Sequence, residues 1–221
     1  MERILVINPN SSEAVTRGID EAMAPLRMAG GPSIDCVTLE EGPPGIETQQ
    51  HVDGVIEPML ELVLRKEAGY AAFVIACYSD PGLHSVREVT RKPVLGISEC
   101  GVLTALTLGH KFGVIAILQK SIPRHLRYLG AMGVMDRLAA ELPVGLGVTE
   151  LSDEKKTFGR MVDVGKALRD AHGANVIVMG CAGMARYRKP LQDELGIPVV
   201  EPSQAAAGMA IARVRLAWQG A

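Results

Sequence analysis

The feature that most constrains this chain is a pattern that occurs twice, Phe73-Val-Ile-Ala-Cys-Tyr-Ser-Asp-Pro-Gly-Leu83 and Val176-Ile-Val-Met-Gly-Cys-Ala-Gly-Met184. Each copy is an apolar run of strand length that ends in a cysteine and enters a glycine-bearing turn. A strand that is apolar on both faces is buried on both faces, as in a parallel sheet covered by helices. Cys77 and Cys181 stand about half of the chain's 221 residues apart. A duplicated α/β unit with one thiol per half has that spacing, and a chain of this length can give two small lobes real cores.

The other segments fit the same plan. Residues 4–7 are a β-branched run closed by Asn8-Pro9-Asn10-Ser11-Ser12, and residues 13–26 then show helical spacing, with Asn10, Ser11 or Ser12 able to cap the helix. Residues 34–39 read as a strand and 41–48 as a breaker-dense loop able to close over the strand ends. Residues 52–67 read as an amphipathic helix and 71–76 as the third strand. Asp80-Pro81-Gly82 reads as the start of the next helix, with proline in its first turn, before a fourth strand at 93–97. The second half repeats this order. It reads as helix 99–108, strand 112–118, a turn through 119–123 and helix 124–132, then a short strand within 142–151. Helix 153–171, strand 175–179, helix 182–194, strand 198–200 and a closing helix over 203–218 complete it.

The expected fold is therefore α/β, with two pseudo-symmetric Rossmann-like lobes. Each lobe is a parallel sheet flanked by helices and joined by right-handed crossovers, and the active site lies in the cleft between them. The first lobe takes residues 1–97 with a C-terminal helix of about 205–221 crossing back to it, and the second takes 98–204.

Composition excludes several classes of partner. A net charge of −2 supplies no basic face for nucleic acid and no attraction to an anionic membrane. No apolar run approaches the roughly 18 residues needed to span a bilayer, and the N-terminus runs into a strand without a signal-peptide core, so a cytoplasmic protein is expected. The four cysteines lack C-x-x-C spacing and read as free thiols, with Cys36 and Cys100 as small buried residues. His51, His84, His110, His125 and His172 are scattered and are assigned to the surface or to helix ends. No metal site is expected.

Two thiols at equivalent strand ends, facing each other across a cleft, have the geometry of a racemase. Inverting a carbon next to a carbonyl requires one group to remove a proton from one face and a second to return one on the other. A thiol with an ordinary pKa of about 8.5 can reach both protonation states near neutral pH. A helix amino terminus directly after each cysteine would favour the thiolate, and its free N–H groups would hold a developing enolate oxygen.

The motifs Ile7-Asn-Pro-Asn-Ser-Ser12, Val74-Ile-Ala-Cys-Tyr-Ser-Asp-Pro-Gly-Leu83 and Gly180-Cys-Ala-Gly-Met184 resemble those of the hydantoin and allantoin racemases of the aspartate/glutamate racemase superfamily. The resemblance implies cofactor-independent racemisation of a small molecule by Cys77 and Cys181 within a homo-oligomer. It places Asn8, Pro9 and Asn10 along the pocket and gives the substrate carbonyls to the backbone around Tyr78, Ser79, Asp80, Gly180, Ala182 and Gly183. The turn at Leu118 and Gln119 also joins the site, although the small hydroxyl residue often found at its start is absent. Asp80 reads equally as a helix cap or a modulator of Cys77, and Tyr78 as pocket wall or packing. Lys120 and Arg124 lie near the motifs without forming a cationic clamp, which favours a neutral ring over a free amino acid.

Other readings remain open at this point. They are an aspartate/glutamate-type racemase, a decarboxylase that needs only the second cysteine, a cis-trans isomerase, a small-molecule binding module and a thiol redox protein.

Overall fold

The computed structural model of the protein describes residues 2–220. The first half builds a parallel sheet from β1 (Arg3–Asn8), β2 (Ser33–Thr38), β3 (Ala72–Ile75) and β4 (Val94–Gly96), in the spatial order β2-β1-β3-β4. The second half builds another from β5 (Phe112–Ala116), β6 (Leu138–Pro143), β7 (Val176–Met179) and β8 (Val199–Val200), in the order β6-β5-β7-β8. The two orders are the same, so β1 corresponds to β5 and β3 to β7. In each sheet the chain leaves its first strand toward one edge and returns on the other side. That reversal opens a crevice beyond the carboxyl ends of the two central strands.

Strand periodicity divides the core cleanly. Ile4, Val6, Val74 and Leu95 face one side of the first sheet and Leu5, Ile7, Phe73 and Ile75 the other, each set in its own buried cluster. The second sheet splits in the same way, with Ile115, Ile177 and Met179 on one side and Val114, Val176 and Val178 on the other. Each fully buried side chain of this size contributes about 1.5–3 kcal/mol of transfer free energy.

Nine helices cover these faces among the described residues. They are α1 (Glu13–Ala22), α2 (Gln49–Gly54), α3 (Ile56–Lys66), α4 (Leu83–Val89), α5 (Ile97–Leu108), α6 (Ile122–Ala131), α7 (Glu154–Asp170), α8 (Arg188–Leu195) and α9 (Pro202–Arg215). The last, α9, lays Ala206, Ala207, Ala210 and Val214 on the first sheet, where small side chains allow close approach, and also packs along α5. No helix among the described residues is long and apolar enough to cross a membrane.

Several expected boundaries move. The helix expected at 52–67 begins at Gln49 and breaks at Val55 into α2 and α3. The strand expected within 142–151 lies earlier, as β6. Its Leu-Ala-Ala-Glu sequence has helix propensity, but parallel pairing with β5 overrides it. Asp80-Pro81-Gly82 does not begin a helix. Asp80 (φ 41°) and Gly82 (φ 65°) both take left-handed backbone, so these residues form a turn and α4 starts at Leu83. After Cys181, residues Ala182–Tyr187 form a 3-10 turn before α8 begins at Arg188.

Candidate active site

Both cysteine turns are fixed by the same hydrogen bond. Two residues past the end of β3 and of β7 come Cys77 and Cys181. The residue before each donates its backbone N–H to the neighbouring central strand: Ala76 to the carbonyl of Ile7 and Gly180 to that of Ile115, each at 2.8 Å. Position 180 requires glycine, because a Cβ there would lie 2.6 Å from the Ile115 carbonyl oxygen. The two turns open onto one pocket between the lobes, which holds about 420 Å3 of empty space, its mouth included.

Among the residues anticipated from sequence, Asn10, Cys77, Tyr78, Ser79, Gly180, Cys181, Ala182 and Gly183 line this pocket. Asn8, Pro9, Asp80, Leu118 and Gln119 do not. Asn8 is buried as a brace, its side-chain amide donating to Asn10 Oδ1 (3.0 Å) and Thr16 Oγ1 (3.0 Å). Asn10 Oδ1 in turn accepts the Ser12 N–H (2.9 Å), and Ser12 caps α1. Beyond β5 the pocket takes Ile117 and Ser121 in place of Leu118 and Gln119, and Gln119 is exposed.

Asp80 works as a cap, but for a helix to which it does not belong. Its two carboxyl oxygens accept the backbone N–H groups of Ser98 (2.9 Å) and Glu99 (2.8 Å), closing the amino end of α5. Burial pushes the Asp80 carboxyl up to about 7, and those two N–H groups pull against the rise. In the second lobe Glu201 caps its own helix, α9, through the N–H groups of Ser203 (3.0 Å) and Gln204 (2.6 Å).

The thiols are electrostatically unequal. Burial pushes Cys77 up to about 11 and Cys181 up to about 12, against the thiolate-favouring helix ends anticipated from sequence. The backbone N–H of Ser79 and the charge of Arg124 act to lower Cys77, while Asp80 raises it. At Cys181 the Gly183 N–H lowers the value, and Cys77, Glu201 and Glu47 raise it. The turn N–H groups thus do in part what helix ends were expected to do.

One polar wall was not anticipated. Arg124, only 9% exposed, donates from Nε to Ser79 Oγ at 3.0 Å. His125, assigned from sequence to the surface or a helix end, is 4% exposed and lines the pocket. Its Nδ1 lies 2.5 Å from Glu141 Oε1, its Nε2 lies 3.4 Å from Ser79 Oγ, and its ring meets Tyr78 edge-on at 5.2 Å. An isolated histidine with no motif around it gave no signal. The partner that buries it, Glu141, comes from β6, the strand that the sequence pattern misplaced.

The loop before α2 closes the mouth. Ile46 and Val148 both line the pocket, and Glu47 bridges the lobes by accepting the Val148 N–H (3.1 Å) and pairing with Lys120 (3.2 Å). Arg127 adds a second link by donating to Gln49 Oε1 at 3.0 Å.

Comparison with known proteins agrees with this geometry. The profile of the Asp/Glu/hydantoin racemase family matches residues 4–210. A hydantoin racemase from Paenarthrobacter aurescens is 36% identical over 221 residues, spanning 98% of this chain and 93% of that protein. The allantoin racemase structure from Klebsiella pneumoniae superposes with a TM-score of 0.92 at 32% identity, covering 100% of this chain and 91% of that one. That of the allantoin racemase from Pseudomonas fluorescens gives 0.93 at 28% identity, covering 99% and 93%.

Proposed function

The chain belongs to the Asp/Glu/hydantoin racemase family, and from that membership we propose that it is a racemase of the hydantoin/allantoin type. It inverts C5 of a 5-substituted hydantoin by proton transfer between Cys77 and Cys181. The observation that carries this reading is the pair of thiols, each two residues past an equivalent central strand and both on one pocket.

One cysteine, as thiolate, takes the C5 proton. The C–H electron pair moves into the adjacent ring carbonyl, and the resulting enolate is delocalised over the ring. The other cysteine, as thiol, returns a proton to the opposite face of C5. The two have then exchanged protonation states, ready for the reverse direction. Backbone N–H groups at Ser79 and Gly183, which already act on the sulfurs, also suit ring oxygens. Cys77, which the Arg124 charge and the Ser79 N–H favour as thiolate, is the more readily ionised of the two and Cys181 the less.

The reading extends to a homo-oligomer in the cytoplasm, with the exposed Leu216 and Trp218 near the C-terminus as apolar surface for a partner copy. The direct test is loss of optical rotation from enantiopure 5-substituted hydantoins with no release of carbon dioxide. Decarboxylation, or no loss of rotation from any hydantoin, would overturn it.

A further inference from the structure

The pocket's two-fold plan is broken at one pair of positions. Helices α1 and α6 each follow the first strand of their lobe, and each presents its third residue to the pocket, Val15 from α1 and Arg124 from α6. The other contributors from this level, Ile46, Ile117 and Val148, are apolar. Among the lining residues Arg124 is the one arginine or lysine, and the matching position of the first lobe is apolar.

No carboxylate among the described residues lies at ion-pair distance from that cation, although Glu141 and Asp53 act on it from further away. Arg3, Arg27, Arg87, Arg169 and Arg186 each pair with a carboxylate. Arg124 is more buried than any of them, yet its one hydrogen bond among the described residues is Nε to Ser79 Oγ. Its two terminal amino groups have no acceptor among the described residues and remain accessible from the open pocket. A ligand that fills the pocket strips water from these groups, which is unfavourable unless the ligand supplies an acceptor for them. The planar fork matches a carboxylate or a carbonyl oxygen. Ser79 accepts from the Arg124 Nε, and the His125–Glu141 pair in turn adjoins Ser79.

We propose that Arg124 is the specificity-determining residue of this pocket and binds an acceptor group, a carbonyl or carboxylate oxygen, at the end of the substituent on the racemised carbon. The inference rests on the hydantoin reading above and names the substrate class within it. Inversion moves the proton from face to face and leaves the substituent near one plane, so a single corner can read it in both enantiomers. The matching Val15 position needs no counterpart.

The test measures kcat and KM separately, by circular dichroism, for four enantiopure hydantoins bearing ureido, carboxymethyl, isobutyl and benzyl groups at C5. Wild type is compared with Arg124→Met and Arg124→Lys, each checked for native far-UV signal. Wild type should favour the ureido and carboxymethyl substrates. In Arg124→Met, beyond a kcat loss common to all four substrates because the charge that lowers Cys77 is gone, the ratio of their kcat/KM to that of the isobutyl substrate should fall at least about tenfold through KM, as expected for a lost charged hydrogen bond. Arg124→Lys should restore the carboxymethyl substrate more than the ureido one, because lysine offers a point charge without the fork. A wild-type preference for isobutyl or benzyl, or a loss of equal size on all four substrates that leaves the ratio unchanged, would overturn the proposal and confine Arg124 to the thiolate or the ring. Absence of racemisation of all four by wild type would instead overturn the hydantoin reading, and the proposal with it.

Discussion

The carboxyl group of Asp80 occupies the space that a side chain at Gly96 would need: a Cβ on residue 96 would lie 2.2 Å from Asp80 Cγ. The turn that carries Cys77 is thereby keyed to the junction of β4 and α5. Gly96→Ala must expel the carboxyl from its two N–H donors or shift the strand. Overpacking of this kind costs about 1–3 kcal/mol, and the displaced turn carries Cys77 with it. Urea unfolding should show that loss, together with a fall in kcat for racemisation. A variant as stable and as active as wild type would show that Asp80 does not position the turn.

The alkylation of the free thiols should follow their burial. With Cys77 pushed up to about 11 and Cys181 up to about 12, both are overwhelmingly protonated at neutral pH in the empty pocket. Only the thiolate reacts, so the rate with iodoacetamide should climb close to tenfold per pH unit between pH 7 and 10, and Cys77 should be modified first. Peptide mapping after timed quenching reads both quantities. A plateau below pH 9, or Cys181 reacting first, would contradict this ordering.

Most of the fold was legible in the sequence, because buried parallel strands advertise themselves as unbroken apolar runs. The positions of the four central strands needed nothing more, whereas their order in the sheets came from the structure. Errors came where long-range contacts decide: β6 is an edge strand written in helix-forming residues, and the Asp80-Pro81-Gly82 turn caps a helix that begins beyond the next strand. The candidate site was legible where chemistry follows a strand end, as at Cys77, Cys181, Ser79 and Gly183. His125 was not, and Arg124 only as a cation near the motifs, because they reach the pocket from the first turn of a helix, and burial there depends on Ser79 and Glu141, far away in the chain.

Glu47 ties the loop bearing Ile46 to Val148 and Lys120 beside the mouth, and release of that tie should widen access to the pocket. Glu47→Gln and Lys120→Met each remove part of that tie. Each should raise the iodoacetamide rate several-fold at fixed pH, because the pocket opens more often. Glu47 also raises Cys181 by its charge, so an increase confined to Glu47→Gln would be electrostatic and would argue against the latch. Unchanged rates in both variants would mean that the loop does not limit access.

The central claim is that proton transfer needs both thiols, one on each face. Its most direct measurement follows an enantiopure 5-substituted hydantoin in deuterated water with wild type, Cys77→Ser and Cys181→Ser, recording optical rotation and deuterium at C5. Wild type should lose rotation, with deuterium appearing in the inverted product. Each single variant should racemise at least about 100-fold more slowly, as expected when one general acid or base is removed. Full racemisation by either variant would contradict the account.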